Sequence, residues 1–278
     1  AGKLRPASWA EAFAAIAAKV KATKPERVGA LAGDLASVEE MFALKALMDK
    51  LGVVNIDCRQ DGTTLHPAHG RASYIFNATV AGIEQADAIL IVGSNPRRES
   101  PVLNARILKR WRQGGARIAL IGEQADLTYP VEYLGAGPET LSNLGAFGDA
   151  LARAARPLVI VGQGALARAD GLAILAAASK LAQRDGWNGL CVLHTAASRV
   201  GGLDIGFTPG EGGLDAGAMA QAGALDVLFN LGADEIDVAP GAFMIYQGSH
   251  GDKGAHRADV ILPGAAYTEK SGTWVNTE

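Results

Sequence analysis

Short runs of Val, Ile, Leu and Ala that each run into a glycine turn constrain this chain most. Val28–Leu31 precedes Gly33, Ala88–Val92 ends on Gly93, Arg117–Ile121 on Gly122 and Leu158–Val161 on Gly162. These runs do not alternate with polar residues, which marks strands buried on both faces. Helix-length segments stand between them. Strand, helix, strand in that order calls for a parallel sheet, because parallel neighbours need a long crossover.

The helices announce their starts. Ser8 and Ser37 are N-cap candidates with Glu11 and Glu40 three residues on, the spacing of a capping box. Trp9, Phe13, Ile16 and Val20 recur at helical spacing, and Pro25 ends that pattern. The second helix runs to about Leu51 and leads into a strand over Val53–Asp57. Further helices are expected over Pro101–Gln113, Ala169–Gln183 and Leu214–Ala222, and further strands over Leu190–Leu193, Val227–Leu231, Ala242–Tyr246 and Val260–Leu262. The glycine-rich stretches Asp61–Gly70 and Thr195–Gly213 read as loops between units. The expected architecture is α/β with two doubly wound parallel-sheet domains. Residues 1–64 and 196–278 would form the first, discontinuous domain, and residues 65–195 the inserted one.

Composition narrows the function. The chain has 278 residues, 49% of them hydrophobic, which suits two packed domains. A net charge of −3 gives no basic surface for a nucleic-acid partner. No apolar stretch nears the ~20 residues of a membrane span, and Ala1–Ala18 reads as an amphipathic segment without a leader's cleavage site. The two cysteines, Cys58 and Cys191, are far apart. They cannot supply the four thiolates an iron–sulfur cluster usually takes, and neither has a second cysteine nearby for a zinc site.

Other groupings are weaker. Gly162-Gln163-Gly164 resembles the opening of a dinucleotide fingerprint, but its third position is Ala167 and no acidic residue stands near Leu193 to hold a ribose. His66 and His69, with Cys58 and Asp61 close in sequence, have the residue types of a metal site, yet Pro67 keeps the two histidines from sharing a helical face. His250, Asp252 and His256 sit in a glycine loop. The turn Gly93-Ser94-Asn95-Pro96, with Arg97 and Arg98 after it, lies where a doubly wound fold holds anions.

The last stretch is more specific. His250-Gly251-Asp252-Lys253-Gly254-Ala255, then Ala258-Asp259-Val260-Ile261-Leu262-Pro263, then Glu269, Gly272-Thr273 and Asn276-Thr277-Glu278 resemble the molybdopterin oxidoreductase family, which includes formate dehydrogenases and nitrate reductases. Ala86-Asp87 through Pro96, the Trp9–Phe13 opening and Asn55-Ile56-Asp57-Cys58 are similar to other family segments. Within the family, Tyr246–Asp252, Tyr267–Lys270 and Pro96–Pro101 resemble the large iron–sulfur subunits of NADH:quinone oxidoreductases, respiratory complex I.

That resemblance implies a fold of the formate dehydrogenase type. It implies membership of a complex that passes electrons from NADH through FMN and iron–sulfur clusters to quinone, at the cytoplasmic side of a bacterial inner membrane or the matrix side of a mitochondrial one. Partners would be other peripheral-arm subunits. The 2Fe–2S and 4Fe–4S clusters would lie upstream of Ala1, with no direct membrane insertion.

Departures from the active family point to a lost cofactor site. No metal-ligating thiol follows Cys58; Arg59-Gln60-Asp61-Gly62-Thr63-Thr64 stands there, and Asp61 is the residual candidate ligand. Gly122-Glu123-Gln124 replaces the Asp-Pro-Arg associated with the pterin dinucleotide, and Ser198-Arg199-Val200-Gly201 lacks the family's R-G-x-N run. The expectation is therefore a scaffold with no catalytic residue, no metal and no cofactor of its own, inactive by itself. A vestigial cleft would be walled by Gly93, Asn95, Arg97, Gly162, Gly164, His250 and Asp252. The rivals are an active formate dehydrogenase-like oxidoreductase and a nicotinamide-binding module.

Overall fold

The computed structural model describes residues 3–251 and 253–277. It divides into two compact units, Ala1–Gly62 with Ala196–Val275, and Thr63–Thr195 with Asn276–Glu278. The amide of Phe76 donates to the Thr277 carbonyl at 2.8 Å, tying the tail to the second unit.

The chain opens with α1 (Trp9–Lys21), β1 (Val28–Ala32), α2 (Val38–Leu51) and β2 (Asn55–Asp57). The second unit follows with α3 (Thr79–Gly82), β3 (Ala88–Val92), α4 (Pro96–Glu99), α5 (Pro101–Arg112), β4 (Arg117–Ile121) and β5 (Glu132–Gly135). It continues through α6 (Gly145–Arg153), β6 (Pro157–Gly162), α7 (Gln163–Leu166), α8 (Gly171–Ala182), a small hairpin of β7 (Gln183–Arg184) and β8 (Trp187–Asn188), and β9 (Leu190–Leu193). The chain then returns to the first unit with α9 (Arg199–Asp204), α10 (Ala216–Met219), β10 (Val227–Leu231), β11 (Phe243–Gly248), α11 (Lys253–His256) and β12 (Val260–Pro263).

Each unit is built on a five-stranded parallel sheet, ordered β12-β11-β10-β1-β2 in the first and β5-β4-β3-β6-β9 in the second. The strand order reverses between β1 and β10 and between β3 and β6. In open α/β sheets the carboxyl ends at such reversals form the ligand crevice. Core strands are saturated with apolar side chains: Ile89, Leu90, Leu158, Val159 and Ile160 are fully buried. Burying such a side chain contributes on the order of 1.5–3 kcal/mol, so the central strands dominate the second unit's stability.

Both expected capping boxes form, with Ser8 and Ser37 accepting from the amides of Glu11 and Glu40. Several expectations need correction. The strand expected from Val53 begins at Asn55, because the Val53 amide closes the α2 terminus on the Met48 carbonyl. The helix expected over Leu214–Ala222 shrinks to Ala216–Met219, with Gly223 at φ +72° beyond it. The glycine-rich loop after Thr195 contains α9, whose glycines pack tightly: a Cβ on Gly202 would lie 2.8 Å from Cys58 Sγ. Finally, α1 buries none of its residues, and Trp9 and Phe13 are 53% and 54% exposed.

Candidate functional site

In the second unit the β3, β4 and β6 turns meet at the strand-order reversal. Gly93 has φ +59°, and a Cβ there would lie 2.6 Å from the Ala165 backbone nitrogen. Cβ atoms on Gly162 and Gly164 would lie 2.7 and 2.8 Å from the Gly93 carbonyl oxygen. The three glycines are therefore required for turn-on-turn packing, whatever their relation to a ligand.

Two donors that could hold an anion at this turn, the Ser94 hydroxyl and the Asn95 amide, are already engaged. Glu99 of α4 folds back so that one carboxylate oxygen accepts from the Asn95 amide at 2.6 Å and the other from Ser94 Oγ at 2.8 Å. A phosphate would compete for the same donors against a fixed negative charge. The adjoining cavity, about 290 Å³, also exposes Glu123, while its arginine, Arg168, pairs with Asp170 at 2.7 Å. A dinucleotide-sized ligand needs a pocket in the upper part of the ~300–1,000 Å³ range. The turn as it stands does not fit one.

The other second-unit candidates are also accounted for. Arg97 points to Asp126, 2.6 Å away. Gln163 donates to the Leu193 carbonyl at 2.9 Å, and the residue after Leu193, where a ribose carboxylate would be sought, is the buried His194, 2.7 Å from the Tyr74 carbonyl. His66 accepts from the Ala68 amide at 3.1 Å and caps the turn Pro67–His69. Among the described residues no three His, Cys, Asp or Glu side chains converge to hold a metal.

In the first unit, charged side chains from three chain segments meet at the carboxyl ends of β1 and β2. Arg199, 1% exposed, donates to both oxygens of Asp61 at 2.8 and 2.9 Å and approaches Asp34 at 3.5 Å. Burial is the largest single effect and works against the Arg199 charge, but Asp61, Cys58 and Asp34 together outweigh it and leave its pKa above the usual value. Asp57 and Arg59 form a second buried pair at 2.7 Å, and Asp57 also accepts from the Ala216 amide at the start of α10. Cys58 lies between these pairs, and burial pushes its thiol up to about 12. It is an inert core thiol. Asp61, the residual metal-ligand candidate, thus has both oxygens hydrogen-bonded to a guanidinium whose positive charge opposes a cation beside it.

His250 lies in the first unit on a separate polar cavity of about 500 Å³ beyond β10 and β11. Its ring accepts or donates to Ser249 at 2.9 Å, and its carbonyl accepts from Tyr246 Oη at 3.3 Å. Tyr246 Oη also donates to Asp234 at 3.0 Å, and Asp234 accepts from the Gly254 amide. Lys270 closes the cavity's edge on Glu40 at 2.6 Å. Asp252 falls outside the described residues, as does Glu278 of the terminal motif.

The motif residues have structural work. Asp87, before β3, accepts from the Ala155 and Arg156 amides at 2.8 and 3.0 Å, which sets the entry to β6. Asp259, before β12, accepts from the Met244 amide at 2.9 Å in the same manner. Thr273 is held to Glu39 of α2 by its amide and hydroxyl, at 2.9 and 2.8 Å.

Sequence reasoning did not find Glu99 or the Arg199 pair. Glu99 stands four residues after Asn95, one beyond the capping-box spacing. Arg199 is a lone charge among Ala, Ser, Val and Gly, which hints at burial, but its partner is remote in sequence.

Comparison with known proteins places the chain in a family. The family model of molybdopterin oxidoreductases matches residues 1–278. The NADH-quinone oxidoreductase G subunit of Rickettsia bellii is 45% identical over 288 residues, covering 100% of this chain and 41% of the relative. Its counterpart in Rickettsia felis is 46% identical over 289 residues, again with 41% of the relative covered. The chain therefore spans about two fifths of the length of these relatives. Among solved structures, the formyltransferase/hydrolase complex of Methylorubrum extorquens, determined with methylofuran, aligns with a TM-score of 0.68 at 19% identity, over 100% of this chain and 93% of that one. That likeness concerns the fold alone.

Proposed function

The chain belongs to the molybdopterin oxidoreductase family, and from that premise we propose that it is a cofactor-free scaffold region of the large iron–sulfur subunit of an NADH-quinone oxidoreductase. The observation that carries this reading is the 45% identity to the Rickettsia bellii G subunit across the whole chain. In this reading the complex moves electrons from NADH through FMN and iron–sulfur clusters to quinone. The clusters sit in a part of the subunit outside these residues, upstream of Ala1. The two sheets give neighbouring peripheral-arm subunits a rigid surface on the cytoplasmic face of the membrane. Among the described residues no helix is long and apolar enough to cross a membrane, which suits a peripheral place.

The absence of a resident cofactor is supported by self-occupation of both strand-order reversals. Glu99 takes the Ser94 hydroxyl and the Asn95 amide, and Arg199 holds Asp61. An active molybdopterin enzyme would need the first site open to a phosphate and the second open to a metal. The second-unit turn, with Gly93, Asn95, Gly162 and Gly164, remains part of the proposal as a relic of that older use, while Arg97 turns to Asp126 and His250 lies on the first unit's own cavity.

The test is to tag the complete natural subunit in its own cell and purify it from detergent-solubilised membranes. Co-purification of a multi-subunit assembly with NADH:quinone activity is expected. A tagged protein recovered alone, with formate- or nitrate-dependent dye reduction, would overturn the reading.

A further inference from the structure

The net charge of −3 conceals one local excess of positive charge in the second unit. Residues 96–112, which hold α4 and α5, carry six Lys and Arg and a single Glu. One face of α5 is buried through Leu103, Asn104 and Ile107. Val102, Ala105, Lys109 and Arg112 recur three or four residues apart, so they share the outer face, and all four are exposed. Val102 is 75% exposed, more than any other large apolar side chain among the described residues.

The carboxylates around α4 and α5 do not balance these cations. Glu84, in the turn that precedes β3, is shared by Arg106 at 2.8 Å and Lys109 at 2.7 Å. Asp126 takes Arg97, and Glu99 is turned onto Ser94 and Asn95. Arg110 spends its donors on the Ala86 and Gly114 carbonyls. Among the described residues Arg98 and Arg112 face no carboxylate partner. Cations in the last turn of a helix are favoured by its dipole, which accounts for Arg112 in water. It does not account for the other end of α5. An acidic side chain would suit the first turn, yet none stands there, and Arg98 precedes it while Val102 offers apolar surface within it.

We propose that the outer face of α4 and α5 docks an acidic segment of another subunit, with an apolar side chain of that segment set on Val102. The proposal rests on the functional reading above, which puts the chain in a multi-subunit assembly. Charge complementarity selects the partner: a guanidinium matches a carboxylate with two parallel hydrogen bonds, and Arg98 and Arg112 are the cations left without one. A 12-residue helix is about 18 Å long. The partner's carboxylates must therefore reach both ends of that span, with the apolar contact nearer Arg98.

The experiment is photo-cross-linking in the complete natural subunit, within its assembly, with the probe introduced as Val102→benzoylphenylalanine. The expected product joins this position to another subunit, in a segment where Asp and Glu outnumber Lys and Arg. Arg98→Glu/Arg112→Glu in the same background should give about tenfold less of that product, and Arg98→Lys/Arg112→Lys should keep most of it. Both arginines are exposed, so the reversal leaves the fold intact. A product within the same polypeptide, with a phospholipid or nucleic acid, or with a segment lacking that acidic excess would overturn the proposal. So would an intact assembly that gives no product, or a yield that charge reversal leaves unchanged. The functional reading fails separately, when the tagged subunit is recovered with no other subunit bound.

Discussion

Nη1 of Arg199 donates to both carboxylate oxygens of Asp61, at 2.8 and 2.9 Å, although the two residues are 138 positions apart in sequence. This pair joins the end of β2 to the segment that re-enters the first unit, so it is a tie in a discontinuous domain. Removing one partner of a buried pair costs about 3–5 kcal/mol. Asp61 keeps 26% of its side chain exposed, which places Arg199→Ala near the lower end, about 3 kcal/mol. Arg199→Met, which refills the volume without a charge, should lose less. Urea unfolding measures both, and a loss of less than about 0.5 kcal/mol in Arg199→Ala, the size of an ordinary surface substitution, would remove the pair from the account.

Close backbone approach gives a second prediction. A Cβ on Gly33 would fall 1.8 Å from the Gly232 carbonyl oxygen, at the reversal between β1 and β10. Gly33→Ala must move main chain and should cost about 3 kcal/mol or prevent folding of the first unit. Gly217→Ala, within α10 and 3.5 Å from one Asp215 oxygen, should instead stabilise, by about 0.5 kcal/mol. Thermal melting of the two variants should move in opposite directions.

The docking of the terminal segment on α2 depends on pH. The Thr273 amide holds the Glu39 carboxyl below its usual 4.5. Burial pulls Glu40 upward, but the hydrogen bond from Lys270 and those from Ser37 outweigh it and leave its pKa lowered as well. Folded values below the unfolded one mean that the stabilisation is complete above about pH 4.5 and is lost as pH falls through the lowered values. The melting temperature should hold down to about pH 4.5 and fall over the range below it. Glu39→Gln and Glu40→Gln should melt lower at the upper end of that range and show a smaller acid-induced fall; an undiminished fall would contradict this assignment.

Much of the scaffold was legible because its signals are local. The strands Ala88–Val92 and Arg117–Ile121 match their apolar runs residue for residue, and both Ser–Glu capping boxes fall where the spacing puts them. The elements that escaped lack such signals. Strand β5, Glu132–Gly135, is a half-exposed edge strand without a buried run, and α6 has Leu144 in place of a polar residue at its N-cap. The site was less legible for a different reason. The glycine turns can be read from sequence, but whether they face a ligand or their own side chains depends on Glu99, outside the usual cap spacing, and on Arg199, whose partner only folding supplies.

The dinucleotide-like turn makes a further testable case. Gln163 spends its amide on Leu193, and His194 stands in place of a ribose-binding acid. No NADH binding is expected in titration calorimetry up to millimolar ligand. Micromolar binding that Gly164→Val abolishes would instead support a nicotinamide module.

The central claim, that this region keeps the fold of a cofactor enzyme without its cofactor, is tested most directly by elemental and pterin analysis of the purified subunit in its complex. Molybdenum and tungsten are measured per chain by mass spectrometry, and released pterin by fluorescence after oxidation. Both metals are expected far below one per chain and pterin no higher than background, with iron confined to clusters outside these 278 residues. Near-stoichiometric molybdenum or tungsten accompanied by pterin would contradict it.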